Sequence, residues 1–488
     1  MDFGSNGFCM FNRLRKHRIK LGILSGIVLI VILSGFYGRF RPLPNGISYE
    51  SEWCPVNELQ FLRDLTYEVD GERQQEQEIF HNVFRVIDEA ERFLIVDMFL
   101  FNDEYDRRSE FPSLSVALAE RLAIKKHQHP EMEIRVITDP INTFYGAYPS
   151  KCADILTQAG IPVIYTRLDH LRNSNGVYSS FYAPFLSHFG TAGKGWIGNP
   201  FSPDSPDVTL RAFLKMLNFK ANHRKVIFSE KEAMVCSANP HDASFHHGNI
   251  AFAVKGEVLS RIFQSEKSVM AFSGQPLDLQ YAFPDEPTES STEVKLVTEG
   301  KIRKQWLAIL NQAEAGDEID IAMFYIAERS IVKAIKKAAE RGVRIRLILD
   351  ANKDAFGREK NGIPNRQVAS ELMHLKDADI GICWYATHGE QFHTKLMLAR
   401  LSKEKRFYMI GGSANLTRRN IGDYNLESDL SVRTPTNSAL QAETTDYFER
   451  LWGNRDGLFT LDYEDYHDDS LSKRWLYRFQ EFTGLCTF

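Results

Sequence analysis

FLIVDMFLF (93–101), SLSVALAERLAIKK (113–126) and IRVITD (134–139) follow one another in the first half of the chain, and IDIAMFYI (319–326), SIVKAIKKAAERG (330–342) and IRLILD (345–350) repeat that order in the second. Each set reads as an apolar strand, an amphipathic helix of 3.6-residue period and a second apolar strand. Strands without polar alternation are buried on both faces, so the pattern predicts βαβ units and a largely parallel sheet covered by helices. Each copy continues to a further short strand, IPVIYT (161–166) or IGICWYA (380–386).

The repeat keeps its register beyond the strands. NHRKVIF (222–228) precedes CSANPHDASFHHGNIAFAV (236–254), and FHTKLML (392–398) precedes GSANLTRRNIGDYNLESDLSV (412–432). Ser237 and Asn249 are twelve positions apart, as are Ser413 and Asn425. The chain is therefore an internal duplication.

At 488 residues it exceeds one ordinary core, and 43% hydrophobic with 25% charged residues suits a folded body. A net charge of −5 lacks the basic excess of sequence-independent nucleic-acid binders, so no nucleic-acid partner is expected. Residues 21–38 (LGILSGIVLIVILSGFYG) are uncharged and long enough to cross a hydrocarbon core. Arg13, Arg15, Lys16, Arg18 and Lys20 precede this stretch while only Arg39 and Arg41 follow closely, which places the N-terminus in the cytoplasm and the body on the outer, periplasmic or extracellular side. A cleaved signal peptide fits less well, because Phe36, Tyr37, Arg39 and Phe40 stand where small residues are needed.

The organisation expected is a basic tail (1–20), a transmembrane helix (21–38), a juxtamembrane segment (39–73), a first lobe (74–272), a proline-bearing linker (273–292), a second lobe (293–460) and a tail (461–488). The lobes differ mainly by an aromatic, glycine-rich insertion at about 169–218, read as a packed surface excursion or as a loop at the membrane interface. Six scattered cysteines suggest neither a zinc site nor a dense disulfide framework, and a bridge involving Cys54 or Cys486 stays open.

Two residues apart on a strand, His223 and Lys225, and likewise His393 and Lys395, point to one side of the sheet. An imidazole beside an ammonium suits phosphate. One imidazole attacks phosphorus, the other protonates the leaving oxygen, and the lysines neutralise the equatorial oxygens, so no metal or other cofactor is called for. Ser237, Asn239, Ser413 and Asn415 follow the next strand of each repeat and are candidate donors to the same oxygens. His241, His246 and His247 have no counterparts in the second half and carry little weight.

These paired motifs resemble the phospholipase D superfamily, whose signature is H-x-K-x4-D followed by a Gly/Ser-rich stretch ending in Asn. The HRK and HTK forms and the N-terminal anchor are most similar to bacterial cardiolipin synthases and membrane-anchored phospholipase D-like proteins. The resemblance implies a duplicated α/β/α sandwich of two pseudo-symmetric lobes behind one N-terminal transmembrane helix, with both motifs meeting in one site. It also implies a covalent phosphohistidine and membrane phospholipids as substrate. The motif aspartate is replaced by Glu230 in the first copy and Arg400 in the second. The N-x-E pattern that buttresses a motif histidine is present at Asn425–Glu427 and absent at Asn249–Ala251. The resemblance places the nucleophile at His223, whereas Glu427, in the second repeat, points to His393. The readings left are a phosphatidyltransferase or phosphodiesterase, a membrane-tethered metal-independent nuclease, and a catalytically decayed lipid-binding scaffold.

Overall fold

A computed structural model describes residues 5–284, 290–355 and 358–486; residues 1–4 of the expected basic tail, 285–289 of the expected linker and 487–488 lie outside the described residues. The two repeats form one continuous sheet. From its outer edge the first lobe orders Val163–Tyr165, Glu133–Thr138, Phe93–Met98, Lys225–Ser229, Ala233–Cys236, Asn249–Gly256 and Cys54–Val69. The second lobe continues with Glu293–Thr298, Ser428–Pro435, Arg406–Gly412, Lys395–Leu401, Glu318–Met323, Arg344–Leu349, Ile380–Tyr385 and Thr460–Asp462. They join where Cys54 and Pro55 pair with Val294 and Glu293.

The expectation of a largely parallel sheet holds only for the outer part of each lobe, where the strands of the βαβ units pair parallel. The motif strands Lys225–Ser229 and Lys395–Leu401 pair antiparallel on both sides. The cause is local: Lys225–Ser229 turns back to Ala233–Cys236 within three residues, which permits only an antiparallel ladder. Helices cover the sheet as the periodicity predicts. Arg329–Glu340 starts at Glu328, whose carboxylate accepts the N–H of Ile331, and buries Ile331, Val332 and Ile335. Each fully buried aliphatic side chain contributes roughly 1.5–3 kcal/mol.

The segment 39–73, expected to be juxtamembrane, instead supplies the strand Cys54–Val69, which pairs with Asn249–Gly256 and holds the position in the first lobe that Glu293–Thr298 holds in the second. Its side chains Phe61, Leu62 and Leu65 are buried, so the repeat begins some twenty residues before the expected boundary at 74. The N-terminal helix spans Ser5–Phe40, longer than the apolar run, and the stretch Arg15–Phe40 is apolar enough to cross a membrane with none of its apolar window buried in the protein. The insertion folds into two helices, Gly176–Phe185 and Leu210–Met216, the first packed along the end of the N-terminal helix. The tail forms the helix Leu471–Thr483, seated on the second lobe by buried Tyr477, whose hydroxyl donates to Ala327 O at 2.7 Å. Cys54 and Cys486 do not bridge: the Cys54 thiol faces Val294 O at 3.4 Å, and Cys486 Sγ accepts from Arg419 at 3.7 Å.

Candidate active site

Both His-x-Lys motifs open a strand at the junction of the lobes, and both are placed by an aspartate at the end of a parallel strand. Asp139 accepts the N–H of Asn222 at 2.7 Å, and Asp350 accepts the N–H of Phe392 at 2.8 Å. These carboxylates fix the residue immediately before each histidine. Asp139 also accepts the N–H of Ile141, so it caps the following turn as well.

The lobes then exchange backbone. Asn222 bridges Leu426 and Gly248 bridges Phe392, both in parallel sense. His223 N donates to Leu426 O at 2.8 Å, and Gly248 N donates to Gln391 O at 2.9 Å. As a result, each imidazole lies against the loop of the opposite repeat. His223 and His393 face each other with ring centroids 6.5 Å apart, both buried.

This crossing overturns the assignment of Glu427 to His393. Glu427 Oε2 lies 3.0 Å from Nδ1 of His223, while His393 Nδ1 lies 3.2 Å from Oδ1 of Asn249. Glu427 immediately precedes the strand Ser428–Pro435, which begins at the lobe boundary, so its side chain crosses to the other lobe. The carboxylate is itself held: Ser413 Oγ donates to Oε2 and Asn420 Nδ2 to Oε1. In the other half Ser237 Oγ donates to Asn249 Oδ1 at 2.9 Å. The two serines therefore orient the groups that orient the histidines.

Among the remaining sequence candidates, Asn239 Oδ1 accepts the N–H of Leu100 at 3.4 Å, and Asn415 Oδ1 is buried without a hydrogen-bond partner among the described residues. Glu230 stands outside the site: it accepts the N–H groups of Glu91 and Arg92 at 2.8 and 3.1 Å and secures the start of the strand Phe93–Met98. Arg400, at the corresponding place, pairs with Glu318 at 3.3 Å.

Lys225 and Lys395 each donate to the carbonyl of their own histidine at 2.7 Å. Phe99 covers His223 (4.7 Å between centroids) and Lys225 (5.1 Å), and Phe324 covers His393 and Lys395, both at 5.0 Å. These phenylalanines end the matched strands FLIVDMF and IDIAMF, a repeat signal from which they are recognisable. His247, given little weight from sequence, joins the wall: its ring lies 6.0 Å from that of His393, and its Nδ1 accepts the N–H of Gln391. Between the histidine and lysine of the first motif, Arg224 points to the other face of the sheet and is fully buried against Glu266 (3.0 Å) and Glu299 (2.8 Å).

The electrostatics favour an anion. Burial, then Lys225 and Lys395, hold both imidazoles well below their ordinary value, so they are neutral when the site is empty. Burial lowers Lys225 to about 8 against the pull of Glu427, and lowers Lys395 well below its ordinary value with Lys225 adding to the effect. Burial also raises Glu427 to about 7, opposed by Lys225. Two crowded cations beside two neutral imidazoles are relieved by a phosphate diester carrying one negative charge.

Residues 307–452 match the family model described as the phospholipase D-like domain of cardiolipin synthase. Phosphatidylserine synthase of Haemophilus influenzae superposes with a TM-score of 0.56 at 10% identity, over 89% of this chain and 95% of that one. Two further structures align less well: polyphosphate kinase of Porphyromonas gingivalis (TM-score 0.42, 8% identity, 80% of this chain and 50% of that one) and the phospholipase D family member Nuc of Salmonella typhimurium (TM-score 0.26, 16% identity, 34% and 97%). No curated protein sequence matches the chain.

Proposed function

We propose that this chain, a member of the phospholipase D superfamily, transfers phosphatidyl groups of membrane glycerophospholipids through a phosphohistidine on His223. The observation that carries the reading is the pairing of two facing imidazoles with unequal partners, a carboxylate on His223 and an amide oxygen on His393. With its Nδ1–H donated to Glu427, His223 presents Nε2 to phosphorus, and the carboxylate stabilises the positive charge that the imidazole gains. As the Nε2–P bond forms, the P–O bond to the head-group alcohol breaks, and His393 gives that oxygen its proton. His393 acquires the proton when the bound diester offsets the charge of Lys225 and Lys395, which otherwise hold it neutral. In the second half His393 takes the proton of an acceptor alcohol or water, whose oxygen displaces His223 from phosphorus.

A lipid substrate is supported by the membrane helix at Arg15–Phe40 and by the matched cardiolipin synthase-type domain. A second phosphatidylglycerol as acceptor yields cardiolipin and glycerol; water yields phosphatidic acid. The positive-inside bias supports an outer-side location for this chemistry. The test is turnover by the full chain reconstituted in phosphatidylglycerol vesicles. Cardiolipin or phosphatidic acid is expected from the wild type and from neither His223→Ala nor His393→Ala. Absence of both products with the wild type ends the lipid reading.

A further inference from the structure

The tail helix Leu471–Thr483 is docked the wrong way round for a helix of a water-soluble body. Its narrow protein-facing side is Tyr477 and Glu481, while Leu471, Trp475, Phe479 and Phe482 point outward. At 3.6 residues per turn these four fall within an arc of roughly 80°, one continuous stripe. Trp475 is 76% exposed and Phe482 80%. Lys473, Arg474 and Arg478 do not offset this stripe, because Lys473 is engaged with Asp468 just before the helix, and Arg474 and Arg478 with Ser370 and Glu371 on the body.

The end of the tail helix is joined to the membrane helix through two consecutive residues. Asn173 N donates to Gly38 O at 2.8 Å, and a Cβ on Gly38 would meet the Asn173 side chain. The next residue, Ser174, lies against the end of the tail helix: a Cβ on Gly484 would meet its carbonyl at 2.0 Å. From there the uncharged helix Gly176–Phe185 runs back along the membrane helix, with Ser180 against Gly35 and with Val177 and Phe181 exposed. Three of its four hydroxyls bond within the protein, Tyr178 donating to Leu214 O, Ser179 to Asn218 and Ser180 to Gly176 O, and the fourth belongs to the buried Tyr182. Groups satisfied in this way tolerate hydrocarbon.

We infer that the helix Gly176–Phe185 and the outer stripe of Leu471–Thr483 are lipid-facing, so that the protein holds the bilayer by a three-part platform and not by its N-terminal helix alone. The inference rests on the N-terminal helix lying in the bilayer and is independent of the reaction. Aromatic residues at the end of a span settle at the head-group level, where Trp475, Phe479 and Phe482 stand. The platform is also tied to the site: Arg419 donates to the carbonyls of Gly484 and Cys486, and the adjacent Asn420 holds Glu427. The catalytic pair is thereby fixed close to the membrane surface.

The test uses the full chain in phosphatidylglycerol–phosphatidylethanolamine vesicles doped with a brominated phosphatidylcholine, which quenches tryptophan only by contact in the bilayer. The emission lost in Trp475→Phe isolates the contribution of Trp475, and bromolipid should reduce that contribution roughly twofold or more. Phe181→Trp on the Trp475→Phe background should restore lipid quenching. Neither side chain is buried in the protein, so an unchanged circular dichroism spectrum is expected, and turnover is read separately in the same vesicles. Quenching of Trp475 by aqueous acrylamide but not by bromolipid overturns the proposal. So does protection from both quenchers in a dimeric chain, which would make a second copy the occupant.

Discussion

Glu427 of the second lobe hydrogen-bonds Nδ1 of His223 in the first, at 3.0 Å. The two members of this pair are 204 positions apart and belong to different copies of the repeat. The contact makes the histidines chemically unequal, since Nδ1 of His393 meets the amide oxygen of Asn249 in place of a carboxylate.

Removing the charge while keeping the shape tests that inequality. Glu427→Gln should lower kcat by about 10²–10⁴, because the tautomer and the charge of the His223 ring both depend on the carboxylate. Asn249→Ala should cost less, about 10-fold. Initial rates on phosphatidylglycerol vesicles measure both, and a similar loss in the two variants would contradict the assignment.

A covalent intermediate on His223 has its own signature. With a phosphatidyl substrate carrying an acidic leaving group that needs no protonation, His393→Ala should accumulate an acid-labile, alkali-stable phosphoenzyme. His223→Ala should accumulate none. Labelled protein after acid or alkaline quench reports the outcome, and label retained on His223→Ala would reverse the roles.

The pH profile of kcat/KM should be narrow. Glu427 is raised to about 7, so its carboxylate form predominates above that value and activity falls as pH drops through it. Lys225 is lowered to about 8, so its charge is lost as pH rises through that value and activity falls again. Glu427→Gln should abolish the acid limb, and Lys225→Arg should move the alkaline limb upward because a guanidinium stays charged. A flat profile across roughly pH 6–9, where these groups titrate, would falsify both assignments.

Arg224 is a buried ion-pair residue set inside the first His-x-Lys motif. Arg224→Met removes the partner of buried Glu266 and Glu299 and should cost about 3–5 kcal/mol in a denaturant melt of the detergent-solubilised chain. Thr394 occupies the corresponding place in the second motif, so Thr394→Val should cost far less, about 1 kcal/mol or under.

The sequence by itself determined the duplication, the parallel βαβ units, an N-terminal helix apolar enough to cross a membrane and the candidate residues His223, Lys225, His393 and Lys395, because periodicity and motif spacing are properties of neighbours along the chain. It pointed to Phe99 and Phe324 only through the matched strands, and it undervalued His247, which has no repeat counterpart. It also placed the first lobe too late, since Cys54–Val69 reveals its role only through its partners Asn249–Gly256 and Val294. Tertiary structure alone decided that Glu230 bonds the start of a strand away from both histidines, and that Glu427 bonds the histidine of the other copy. The reason is geometric: at the pseudo-twofold junction the strands pass their loops across the boundary, so each site element is completed by the repeat to which it does not belong.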